Sequence, residues 1–158
     1  MITLALPSFD KPVKLLIVVA PWFKDITEAL IAGAKTRAAV AEVEVIEVPS
    51  PAEIPATIAF SQRLGEFHGY VALGCVIRGE TSLFDTQTHA TTHALTMLGL
   101  SGACIGNGIL TVETVDQARL RADPTGADKG GEAAAAALHL IAISRKWAGQ
   151  TKGIGFRA

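Results

Sequence analysis

Four apolar runs of strand length punctuate the chain, and segments with helical spacing separate them. Lys14–Ala20 (KLLIVVA) is apolar almost throughout and closes at Pro21, which predicts a buried strand. Val43–Val48 (VEVIEV) alternates with period two and predicts a second strand, ended by Pro49-Ser50-Pro51. Tyr70–Ile77 and Cys104–Leu110 predict the third and fourth. A helix is expected from Asp25 or Thr27 to about Ala41, with Ile26, Leu30, Ile31 and Ala34 on one face. Another is expected from about Glu53 to Leu64, where Pro55 fits the first turn. A third spans Ser82 to about Met97, and Thr111–Thr114 opens a short one through Arg121. The turn-rich loop Ala122–Gly131 then leads to an Ala-rich helix from Glu132 to about Trp147.

This alternation predicts an α/β protein, a parallel sheet with helices on both faces. Right-handed crossovers put the carboxyl ends of all strands on one edge, where open sheets bind ligands. Four segments are expected there: Ala20–Trp22, Val48–Glu53, Val76–Thr81 and Gly106–Thr111. One domain is expected over residues 13–148, with a loose arm at 1–12 and a flexible tail at 149–158.

Hydrophobic residues make up 49% of the 158, and the mean hydropathy is +0.36. That is apolar for a small monomer and predicts a homo-oligomer. Fourteen basic and fifteen acidic residues leave a net charge of −1 with no basic run. Nucleic-acid and anionic-membrane binding are therefore disfavoured. No apolar run is long enough to span a bilayer, and the first residues lack the basic-then-apolar order of a secretion signal. Cys75 and Cys104 sit in apolar runs and read as buried reduced thiols of a cytoplasmic protein; a catalytic cysteine is the second reading, though neither lies at an obvious turn or helix start.

Candidate chemistry concentrates in Val71–Asp85 (VALGCVIRGETSLFD), a strand that ends in a glycine turn and feeds a helix. Glu80 and Thr81 can offer backbone N–H groups and a hydroxyl to an anion there. Arg78 either serves that anion or neutralises Glu80 or Asp85. Trp22, just past the first strand, can stack on a planar heterocycle or simply pack. Glu53 either caps its helix or binds a polyol. Arg121 and Lys129 flank the late loop and can clamp a phosphate or remain solvated. His89 and His93 share a helix face, but no third metal ligand accompanies them, and no metal is expected. No dinucleotide, P-loop or nucleophile-elbow string occurs.

Five blocks together resemble the 6,7-dimethyl-8-ribityllumazine synthase family of riboflavin biosynthesis: VVAPWFKDITEALIAGA, VPSPAEIPATIAF, GCVIRGETSLFD, GNGILTVETVDQARLRA and DKGGEAAAAAL. The resemblance implies a flavodoxin-like three-layer sandwich with a four-stranded parallel sheet. It implies pentamers, or multiples of pentamers up to sixty-subunit shells, with sites between subunits. The reaction it implies condenses 5-amino-6-(D-ribitylamino)uracil with 3,4-dihydroxy-2-butanone 4-phosphate and needs no cofactor or metal. Carried over by position, Trp22 stacks on the pyrimidinedione, and Pro51, Ala52 and Glu53 hold the ribityl chain. The backbone of Cys75, Val76 and Ile77 runs along the ring. Glu80, Thr81 and Arg121 bind phosphate, Asn107 comes from the adjacent subunit, and Lys129 is the lysine of the family's KG pair.

Two positions depart from the family pattern. Leu83 stands where the family's histidine does, so that acid–base role is lost. Ser50-Pro51-Ala52-Glu53 lacks the aromatic that usually precedes the glutamate. His89, a substitute candidate, stands about 240° around an ideal helix from Leu83. The resemblance thus leaves two readings, a slowed enzyme or a paralogue that binds flavin or lumazine or builds an assembly.

Overall fold

The computed structural model describes residues 4–150. β1 (Lys14–Val19), β2 (Glu42–Glu47), β3 (Gly69–Ile77) and β4 (Ile105–Val112) form one parallel sheet in the order β2-β1-β3-β4. That is the strand order of flavodoxin-like doubly wound folds. α1 (Lys24–Arg37), α4 (Val115–Ala122) and α5 (Lys129–Gln150) cover one face; α2 (Ile54–Leu64) and α3 (Leu83–Leu100) cover the other.

β1 and β3 are buried almost end to end because both their faces are covered, which is why they read as continuous apolar runs. Successive side chains enter opposite cores. Leu15, Ile17 and Val19 join Ile26, Leu30, Leu138 and Ile141. Leu16 and Val18 join Tyr70, Ile54, Ile58 and Leu95. The first core is closed by an unusually close approach of α5. A Cβ on Gly106 would lie 1.8 Å from the Ala133 carbonyl oxygen, and one on Gly130 would lie 2.0 Å from that of Leu30. Bare glycine lets α5 touch β4 at one point and α1 at the other.

Several boundaries differ from expectation. α1 stops at Arg37 rather than near Ala41. β4 continues through Val112, because Thr111 and Val112 still pair with Val76 and Ile77. The next helix therefore starts later, at Val115, where the Thr114 hydroxyl accepts a hydrogen bond from Gln117 N (3.2 Å). α5 begins at Lys129 instead of Glu132. Asp128 takes a left-handed φ of 43° and its carboxylate accepts from Gly131 N (3.0 Å), which caps the helix inside the expected loop. Gly149 is helical, so the expected tail starts too early; the rest of it, 151–158, lies outside the described residues, as do residues 1–3 of the arm. Cys104 is half-buried rather than buried.

Residues 4–13 have no regular secondary structure. Arg145 ties them down, donating to the carbonyls of Lys11 (3.0 Å) and Pro12 (2.9 Å) and lying over the Phe9 ring. Among the described residues, no helix is long and apolar enough to cross a membrane.

Candidate active site at the carboxyl edge of the sheet

The chain leaves β1 toward β2 on one side and reaches β3 on the other, so a crevice opens between the carboxyl ends of β1 and β3. β3 also outruns β1. Their pairing ends at Val19 and Leu73, with Ala20 N donating to Leu73 O (3.0 Å). Cys75, Val76 and Ile77 pair with Leu110, Thr111 and Val112 of β4, and their edge toward β1 has no strand partner. The Cys75 side chain turns into the core, where burial pushes its thiol up to about 11; it offers no thiolate at neutral pH.

Trp22 stands beside that crevice, 44% exposed, with its indole N–H donating to the Pro49 carbonyl (2.8 Å). This bond ties the loop after β1 to the loop after β2 and fixes the ring. Ser50 then caps a single 3-10 turn, Pro51–Glu53, by accepting from Ala52 N (3.2 Å). Pro51 is buried, whereas Ala52 and Glu53 are exposed. Glu53 stands at the N-cap of α2, where the helix dipole favours its carboxylate, but its side chain makes no capping hydrogen bond. Pro55 occupies the first turn of α2 as expected.

The opposite wall is the start of α3. Leu83 is its first residue and is 60% exposed. Thr81 Oγ1 accepts a long hydrogen bond from Leu83 N (3.4 Å), and Glu80 and Thr81 are both exposed. Trp22, Ser50 and Ala52 on one side and Leu83, Thr86, Gln87, Ala90 and Thr91 on the other enclose a cavity of about 460 Å³. His89 and His93 are exposed on α3 and do not line it.

Arg78 is occupied. Its Nε donates to both oxygens of Glu113 (3.1 and 2.9 Å), and Nη1 and Nη2 donate to the two oxygens of Asp85 (2.9 and 3.0 Å). The guanidinium also lies 4.1 Å from the centroid of Phe84. The two carboxylates push its pKa further up, and it holds the Asp85 carboxyl below the usual range. Of the two partners expected, Asp85 is found and Glu80 is not; Glu113, just past β4, is the one the sequence did not single out. Arg78 thus braces the end of β3, the first turn of α3 and the end of β4.

Asn107, Arg121 and Lys129 lie elsewhere. Asn107 pairs with Ala72 in the first half of β4, five positions before Val112. At about 3.3 Å per residue it is roughly 16 Å from the carboxyl end of its strand. The expectation that Gly106–Thr111 reaches the carboxyl edge therefore holds only for its last residues. Asn107 is exposed, its Oδ1 accepts from Ile109 N (3.0 Å), and it borders a separate apolar groove between α3 and α5. Arg121, in the last turn of α4, is exposed and donates to Gln117 O (3.2 Å). Lys129 pairs with Glu132. None of the three lines the Trp22 cavity. Thr86 and Gln87, which do, were not singled out by sequence reasoning; the three- and four-residue spacing from Leu83 is the signal that finds them.

An exposed indole, a free strand edge and a hydroxyl-bearing loop meet at the switch point, which makes the carboxyl edge of this α/β sheet the candidate ligand site. Residues 12–145 match the family model of 6,7-dimethyl-8-ribityllumazine synthase. The chain is 52% identical over 156 residues to the protein of that name from Jannaschia sp. (strain CCS1), covering 98% of this chain and 88% of that one. It is 48% identical over 136 residues to the one from Novosphingobium aromaticivorans, covering 85% and 98%. It is 44% identical over 144 residues to 6,7-dimethyl-8-ribityllumazine synthase 1 of Rhizobium meliloti, covering 86% and 94%. The chain belongs to the 6,7-dimethyl-8-ribityllumazine synthase family.

Proposed function

We propose that this protein condenses 5-amino-6-(D-ribitylamino)uracil with 3,4-dihydroxy-2-butanone 4-phosphate to 6,7-dimethyl-8-ribityllumazine, releasing phosphate and water. The observation that carries this is the cavity between Trp22 and Leu83 at the carboxyl edge of the sheet, the edge where Cys75, Val76 and Ile77 run on past β1 without a strand partner on that side. The pyrimidinedione stacks on Trp22 and hydrogen-bonds along that edge. Pro51, Ala52 and Glu53 hold the ribityl chain, and Glu80 and Thr81 hold the phosphate. Both reactants are intrinsically reactive, so bringing them together accounts for much of the acceleration.

Asn107, Arg121 and Lys129 reach the site from a neighbouring copy. Their absence from the Trp22 cavity supports this, and so does the exposed apolar surface at Leu100 (78%), Leu120 (67%) and Trp147 (63%). The assembly is a homopentamer or a multiple of it, and the protein works in the cytoplasm. Sedimentation of the purified protein tests the assembly; a monomer would overturn it.

The reaction is tested by mixing the protein with both substrates and following lumazine absorbance. Turnover above the buffer rate is expected, and a rate no better than buffer would sink the catalytic reading. General acid–base help is typically worth about 10²–10⁴-fold, so the Leu83→His variant should be faster by about a hundredfold. Leu83 and Ala52, which leave the pocket apolar and open, favour a second reading, a protein that binds flavin or lumazine or serves an assembly. Riboflavin binding in calorimetry without turnover would select it.

A further inference from the structure

We propose that the Gln87 amide donates a hydrogen bond to the carbonyl oxygen of the phosphate-bearing reactant, the atom on which charge develops as the amine adds. This assignment rests on the condensation proposed above. Leu83 and Gln87 are one turn apart on the same face of α3, and both line the cavity opposite Trp22. Their Cβ atoms are therefore about 5–6 Å apart, within the length of a glutamine side chain.

The other polar groups of the cavity are engaged, recessed or on the facing wall. The Trp22 indole N–H is held by Pro49 O, Thr91 is 5% exposed, and the Ser50 hydroxyl, which accepts from Ala52 N and keeps its own O–H, stands on the Trp22 wall across from α3. Thr86 carries too short a side chain to pass Leu83. Gln87 is half-buried, and no hydrogen bond to its amide is found among the described residues. The amide is thus uncommitted to any protein group and free to bond to a ligand in the cavity.

Its position suits the reacting centre. Leu83 N bonds to Thr81 Oγ1, so α3 starts at the loop that holds the phosphate. The heterocycle stacks on the facing wall, and the carbonyl carbon that joins the two reactants sits in front of the first turns of α3. The amine lone pair forms the new C–N bond there, and the C=O π pair moves onto oxygen. The proton shed by nitrogen ends on that oxygen, carried by the substrate phosphate or water. The carbinolamine then loses water to give the imine. Gln87 stays neutral throughout and transfers no proton; it stabilises the oxygen as charge builds, as a preorganised donor does in an oxyanion hole.

Gln87→Met keeps the length and helix propensity and removes the donor. Its kcat should fall by about a hundredfold. Calorimetric affinity for 6,7-dimethyl-8-ribityllumazine should stay within about twofold, because that product no longer carries the oxygen in question. In the Leu83→His background the same substitution should cost less than about threefold, since the imidazole then serves the same oxygen. A Gln87→Met kcat within twofold of wild type would overturn this inference and leave the proposed reaction standing. So would a kcat loss matched by an equal loss of product affinity, the mark of a packing role. A wild-type rate no better than buffer would instead remove the reaction itself.

Discussion

The two faces of the sheet are built differently. On the α1/α4/α5 face, glycine brings backbone against backbone at Gly106 and Gly130, and the core runs continuously from Val13 to Ile141. On the α2/α3 face the buried cluster is smaller, Ile105 and Ile109 are only partly covered, and α3 buries just Thr91 and Leu95. The first face stabilises the fold. The second leaves room beside Trp22, and the proposed site occupies that room. A site opened on the tight face would leave a close-packed core unfilled; on the loose face it displaces little.

The largest effects should come from breaking the tight face. Gly106→Ala or Gly130→Ala places a methyl well inside contact distance of a helix carbonyl, and either should lower stability by about 3 kcal/mol in urea titration. Leu138→Ala, at a fully buried position, should cost about 3 kcal/mol by the same measurement. Leu83→Ala on the open face should change stability by less than about 0.5 kcal/mol. If Leu83→Ala proved as costly as Leu138→Ala, the contrast between the faces would fail.

A smaller effect is expected where the Arg78 brace sets the geometry of the loop. Arg78→Ala frees Asp85 and Glu113 and should raise the KM for the phosphate-bearing substrate several-fold, with product affinity preserved. Initial-rate kinetics at fixed uracil substrate would show it, and an unchanged KM would mean that the loop holds its shape unaided.

The smallest effect lies at the opposite edge of the sheet. His68 Nδ1 accepts a hydrogen bond from Lys14 N (3.0 Å), which requires the nitrogen to be unprotonated. Burial, and then the charges of Arg145 and Lys14, lower its pKa below the usual histidine value. The unfolded chain therefore binds that proton more readily. The stabilisation is present above the unfolded value near about 6.5 and is lost as pH falls through the folded one. Urea midpoints measured from about pH 7.5 down to about pH 5 should fall more steeply for wild type than for His68→Asn. Parallel curves would remove His68 as the source.

The parallel sheet covered on both faces was legible because such strands must be apolar and alternate with helices, whereas the order β2-β1-β3-β4 was not. The block from Val71 to Asp85 was legible for the same reason: a buried strand, a glycine and a helix start have local signatures. Helix starts were less so. Asp128 caps α5 inside a stretch rich in turn residues, and nothing local distinguishes a cap from a turn there. Asn107 was misplaced relative to the carboxyl edge because register between β3 and β4 depends on pairing across the sheet, not on the composition of either strand.

Sequence alone determined the family and the parallel α/β architecture, and it put a leucine, Leu83, two residues after the Gly79-Glu80-Thr81 turn. These depend on residue identity and short-range periodicity. Tertiary structure decided that Arg78 is tied to Asp85 and Glu113, that β3 projects past β1, and that Gln87 shares a cavity with Trp22. It also separated Asn107, Arg121 and Lys129 from that cavity. Each of these is a distance between residues remote along the chain, and such distances exist only once the sheet has set the register and the helices have packed on it.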